Sequence, residues 1–164
     1  MLFRSDFGQD GRVLLTPDDA GDDNYRSSSG PIVVGDVIVV AGIVGGAGDS
    51  GAVKESTPED LRGYDVRSGR LLWTFRVVPQ EGELGNDTWG DGSWEWSGDL
   101  GSWCCMSADE ELGMVYVPFS APTAAYYGGY RPGWNLFSNS LVALDVSTGE
   151  RVWHFPMVHR SEEH

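Results

Sequence analysis

Ala143-Leu144-Asp145-Val146-Ser147-Thr148-Gly149-Glu150-Arg151-Val152-Trp153 is the stretch on which the fold turns. Two short strand-forming runs flank Ser147-Thr148-Gly149, so the segment reads as a hairpin. The Asp before the turn can accept backbone N–H bonds, and the Gly supplies a residue with φ > 0. The Trp brings a large apolar face with a single N–H donor, suited to packing on a neighbouring element. The same order occurs earlier as Gly63-Tyr64-Asp65-Val66-Arg67-Ser68-Gly69-Arg70-Leu71-Leu72-Trp73.

A repeat emerges around these two hairpins. Pro31–Val34 leads through Gly35-Asp36 into Val37–Ala41, and Leu61–Val66 turns at Arg67-Ser68-Gly69 into Arg70–Arg76. The order then recurs: Trp103–Ala108 turns through Asp109-Glu110-Glu111 into Gly113–Phe119, and Leu141–Val146 turns into Arg151–Phe155. Successive connections of an antiparallel meander lie at alternate ends of the sheet. The short turns near residues 35, 68, 110 and 148 therefore share one face, and the long connections 43–60, 77–101 and 119–139 share the other. Loops longer than about 12–15 residues are usually functional or disordered, which makes the long-loop face the expected working face.

The pattern predicts an all-β chain of two four-stranded antiparallel blades, the unit of a β-propeller. It divides into a connecting segment 1–30, a blade 31–76, a long loop 77–101, a blade 102–158 and a tail 159–164. An eight-stranded sandwich is the alternative all-β reading. Two blades cannot close a ring, so self-association through open blade edges is expected.

Composition narrows the function. The formal net charge of −14 repels phosphate backbones and argues against a nucleic-acid partner. No apolar run approaches the roughly 20 residues of a membrane span, and Met1-Leu2-Phe3-Arg4 is followed by Ser5-Asp6 without a signal-peptide segment. The two cysteines are adjacent, Cys104-Cys105, and no His/Cys spacing fits zinc. As small apolar side chains they are expected to fill space.

The second hairpin matches the tryptophan-docking motif of the quinoprotein (pyrroloquinoline quinone) dehydrogenases at Ala143, Asp145, Thr148, Gly149 and Trp153; the first departs at Gly63 and Ser68. Asp6-Phe7-Gly8, Gly85–Trp89, Met106–Gly113, Tyr126–Gly129, Arg131-Pro132-Gly133 and Val152–Phe155 also resemble segments of the glucose-type members. The chain thus resembles part of that eight-bladed family, from about Asp6 to His159. The resemblance implies oxidation of a sugar or alcohol by hydride transfer to the quinone, with Ca²⁺ polarising the quinone carbonyl and an Asp as base. It also implies a periplasmic or membrane-associated, periplasm-facing setting. Trp73 and Trp153 would stack between adjacent blades.

By the same resemblance, Trp103 falls where the family places the aromatic floor of the quinone; without it, Trp103 reads as a buried strand residue. Ala121 stands where alcohol-oxidising relatives carry a metal-ligating Asn, and a methyl cannot bind Ca²⁺. The loop Gly42–Asp60 lies where the family carries a Glu ligand and contains Asp49, Glu55 and Glu59, none selected by a local pattern. Trp89–Trp103 could stack on a sugar or pack down beneath neighbouring loops. His159 ends the likeness, and the family's catalytic Asp segment has no counterpart here, so activity of this chain alone is not expected. A non-catalytic propeller module for protein interaction or sugar binding is the alternative.

Overall fold

The computed structural model describes residues 6–15, 25–27, 29–44 and 53–158. Among these described residues ten strands form: β1 (Tyr25–Arg26), β2 (Ile32–Val34), β3 (Val37–Ala41), β4 (Ile43–Val44), β5 (Leu61–Asp65), β6 (Leu71–Phe75), β7 (Ser107–Asp109), β8 (Met114–Pro118), β9 (Ser140–Asp145) and β10 (Arg151–Pro156). They build two four-stranded antiparallel sheets, β2-β3-β5-β6 and β7-β8-β9-β10, with β1 and β4 as a separate short pair. Each large sheet is a meander in chain order, the blade arrangement and not a sandwich.

Residue chemistry explains the elements. β3 is a β-branched run buried along nearly all its length, as a central strand requires. β8 alternates, sending Val115 and Val117 into the core and leaving Met114 and Tyr116 half-covered. The Asp-led turns close both outer hairpins in the same way. Asp65 Oδ1 accepts the backbone N–H of Ser68 (2.7 Å), and Asp145 Oδ1 accepts those of Ser147 (2.8 Å) and Thr148 (3.0 Å). Gly69 and Gly149 take φ of 72° and 73°. The short turns also lie together within each sheet, Val66 N–H bonding Asp36 O and Val146 N–H bonding Gly113 O, both over 2.9 Å.

One core runs through both sheets, from Val39, Leu61 and Trp73 to Val115, Val117, Val142 and Leu144. Phe75 stacks on Phe119 (5.9 Å between centroids) and meets the edge of Phe137 (5.1 Å), sealing the seam. Trp73 also spans it: its indole N–H donates to Val146 O over 2.9 Å and its ring fills the space above Gly149.

The structure corrects one strand. Sequence alone extends it over Trp103–Ala108, whereas β7 begins at Ser107. The backbone before it is engaged elsewhere, since Ser29 Oγ donates to Ser102 O (3.1 Å) and Ser102 Oγ to Cys104 O (3.2 Å). Trp103 is consequently not a buried strand residue.

Candidate functional site

The three long connections meet at one end of the sheets. Ser56 N–H bonds Trp96 O (3.1 Å), Gly90 N–H bonds Pro132 O (2.7 Å), and Asn135 N–H bonds Thr88 O (3.0 Å). Of the stretch Trp89–Trp103, the part up to Ser102 packs down here instead of standing free. Trp89 is buried, Trp94 packs on the core, and Lys54 Nζ sits 4.1 Å above the Trp96 ring.

At the centre is a strap, Gly98–Ser102, which leads directly into Trp103. On one side it bonds the first loop, Asp99 N–H to Thr57 O (3.1 Å) and Glu59 N–H to Asp99 O (3.0 Å). On the other it bonds the third loop: Thr123 N–H to Gly98 O (3.1 Å), Ser120 N–H to Gly101 O (3.1 Å), and Gly98 N–H to Thr123 Oγ1 (3.1 Å). The fit is tight. A Cβ on Gly98 would overlap Ser56 O, and one on Gly101 would overlap the Glu59 carboxylate. Two successive non-glycine residues inside the strap, Asp99 (φ 58°) and Leu100 (φ 64°), adopt the left-handed conformation. Such residues cost free energy and persist only where their surroundings over-determine them.

The Asp99 carboxylate accepts Ser56 Oγ–H over 3.0 Å and is also bonded by Thr123. Burial raises its pKa above the ordinary Asp value, against the opposing pull of those two hydrogen bonds. Thr123 is itself held from behind by Arg131, whose buried guanidinium donates Nε–H to Thr123 O (3.1 Å) and Nη1–H to Asn135 Oδ1 (2.9 Å).

Trp103 emerges from this clasp with 64 % of its surface exposed, next to Cys104 and Cys105, both exposed free thiols. The expectation that the cysteines are buried fillers is thus overturned. Ala121 sits in the third loop beside the strap and is half-buried. Of the three loop acids, Glu59 is 3 % exposed and packed against Gly101, Glu55 is exposed, and Asp49 lies outside the described residues, as does His159. Among the described residues no three His, Cys, Asp or Glu side chains gather as a metal-binding group. No helix among them is long and apolar enough to cross a membrane.

Sequence reasoning missed Asp99. The only local signal is an acidic residue between Gly98 and Gly101, since Asp tolerates the left-handed region better than most residues. Leu100 in that conformation gives no signal at all.

The chain matches the family model for the β-propeller domain of glucose/ethanol/alcohol (PQQ) dehydrogenases over residues 3–161. It is similar to quinoprotein glucose dehydrogenase A of Acinetobacter calcoaceticus, 34 % identical over 158 residues that cover 94 % of this chain and 19 % of that protein. It is also similar to the glycerol dehydrogenase large subunit of Gluconobacter oxydans, 38 % identical over 104 residues, 61 % of this chain and 13 % of that one. Among solved structures it resembles the quinohemoprotein alcohol dehydrogenase of Comamonas testosteroni, with a TM-score of 0.66 and 26 % identity over 83 % of this chain and 21 % of that one. The chain thus spans less than a quarter of the length of each of these relatives. With two docking hairpins, two meander sheets and this match along nearly its whole length, the chain belongs to the PQQ glucose/ethanol/alcohol dehydrogenase β-propeller family.

Proposed function

We propose that this chain supplies the Trp103 floor of a pyrroloquinoline quinone site in a dehydrogenase that oxidises a sugar or alcohol. The observation that carries the reading is an indole exposed on the long-loop face while the backbone on both sides of it is tied down. A flat ring carried on an anchored backbone is what a planar tricyclic cofactor can stack on, and anchoring that backbone lowers the entropy lost on binding. When bound, the quinone supplies a hydride acceptor for the substrate C–H bond. The chain's own part is to hold the cofactor plane and to keep water from beneath it. Ca²⁺, also implied by the family likeness, is assigned no ligand here: the Ala121 side chain offers no oxygen, and among the described residues no three His, Cys, Asp or Glu side chains gather. No step is therefore assigned to a metal here. The periplasmic setting belongs to the same proposal, with residues 31–76 and 102–158 as two blades of a larger ring.

The test is titration of the purified chain with pyrroloquinoline quinone, followed by Trp fluorescence. Saturable quenching that is lost in Trp103→Ala and kept in Trp134→Ala supports the reading. Equal quenching in both variants, or none in the unmodified chain, removes this chain from the cofactor site.

A further inference from the structure

We propose that Asp99 is a positioning residue for Trp103: its carboxylate clamps Ser56 and Thr123 onto a left-handed backbone step and so fixes where the indole stands. This rests on the reading of Trp103 as the quinone floor and adds the residue that makes the floor rigid.

Three observations converge on Asp99. Its side chain joins the first loop to the third, through Ser56 Oγ (3.0 Å) and Thr123. Its backbone pairs with both loops as well, bridging Pro58 on one side and Pro122 on the other. It begins the left-handed pair Asp99-Leu100, after which Leu100 is fully buried and Gly101 admits no side chain. The chain from Asp99 to Trp103 therefore has little freedom. Gly101 is trapped against Glu59, and Ser102 is pinned by Ser29. A change at Asp99 is transmitted to Trp103 through three constrained residues, Leu100, Gly101 and Ser102.

The variants separate the two parts of the role. Asp99→Asn keeps an acceptor for Ser56 and tolerates φ > 0; Asp99→Ala removes the acceptor and disfavours that φ. Ser56→Ala removes one bond and leaves the Asp99 backbone alone. The full chain is labelled with 5-fluorotryptophan, and the Trp103 resonance among the seven Trp signals is assigned with Trp103→Phe. In Asp99→Ala the Trp103 resonance should shift or broaden while those of Trp73 and Trp153 stay in place. Asp99→Asn should restore it, and Ser56→Ala should move it the same way by less. Quinone affinity should fall about tenfold in Asp99→Ala, the scale of one lost hydrogen bond to a charged group, and stay within about twofold in Asp99→Asn.

An unmoved Trp103 resonance in Asp99→Ala overturns the proposal. So does collective movement of all seven signals that Asp99→Asn fails to reverse. The fluorine readout needs no cofactor. If the resonance moves as expected but no form binds quinone, the positioning role stands and the cofactor reading falls. If the unmodified chain and Asp99→Ala bind quinone equally, the positioning role falls and the cofactor reading stands.

Discussion

The indole N–H of Trp73 donates to the carbonyl oxygen of Val146 over 2.9 Å, and the same ring occupies the space a side chain on Gly149 would need. One residue at the outer strand of the first sheet thus satisfies a backbone acceptor in the turn of the second. It is 8 % exposed, whereas Trp153, at the matching position of the second sheet, is 38 % exposed and touches Tyr116.

Trp73→Phe keeps most of the buried ring and loses the N–H, and should cost about 1 kcal/mol. Trp73→Ala also empties the seam and should cost about 3–5 kcal/mol. Trp153→Ala, on a half-covered face, should cost less than about 1.5 kcal/mol. Urea unfolding of the three variants checks the order. Equal losses at the two tryptophans would mean that the seam does not depend on Trp73.

Gly149 and Gly113 share a left-handed backbone, with φ of 73° and 63°, but only Gly149 faces a neighbour. Gly113→Ala meets open space and should cost about 1–2 kcal/mol for the conformation alone. Gly149→Ala also drives a methyl into the Trp73 ring, and should add roughly 1–3 kcal/mol of overpacking. Matching Tm losses for the two would refute the close packing of Trp73 on this turn.

These turns were readable because their causes are local. Asp145, Thr148 and Gly149 act within six residues of one another, so the sequence window contains the whole mechanism. Trp103 was only half-readable. Its position at the head of the strand-like run Trp103–Ala108 suggests a buried strand residue, but the partners that pull the chain out of the ladder are Ser29 and the long loops, distant in sequence. Asp99 was not readable for the same reason. Ser56 and Thr123 lie on either side of it, 43 residues before in the case of Ser56, and only the folded chain brings them together.

Acid should weaken the turns in a defined direction. Asp65 is held below the ordinary Asp pKa first by the Ser68 side chain, and Asp145 first by that of Ser147. A carboxyl whose folded pKa is depressed contributes stability above the unfolded value of 3.8, lost as pH falls through the folded value. Asp145→Asn should therefore be less stable than the unmodified chain at pH 7, and the gap should narrow as pH drops below 3.8. Both Tm curves measured from pH 7 to pH 2 check this; a constant gap would mean the carboxylate charge plays no part.

Cys104 and Cys105 are exposed free thiols that directly follow Trp103. In a reduced sample both should react with a thiol-specific disulfide reagent without denaturant, giving two thiols per chain in a native assay. Binding of pyrroloquinoline quinone at Trp103 should slow that reaction. Thiols that react only after unfolding would contradict this placement of the segment after Trp103.

The last expectation concerns the edge of the second sheet. Among the described residues β10 pairs only with β9, and Val152, Trp153, Phe155 and Met157 along and after it are exposed apolar side chains, Phe155 by 64 %. An edge strand of this kind presents unpaired backbone groups beside apolar surface, and both favour pairing with another chain. We expect the isolated 17.9 kDa chain to sediment above its monomer mass at micromolar concentration. Phe155→Lys should shift the distribution towards monomer, because a charge on the edge opposes a second strand without removing a buried contact. A monomer at every concentration would show that this edge is self-sufficient, and the expectation of association through open edges would then fail.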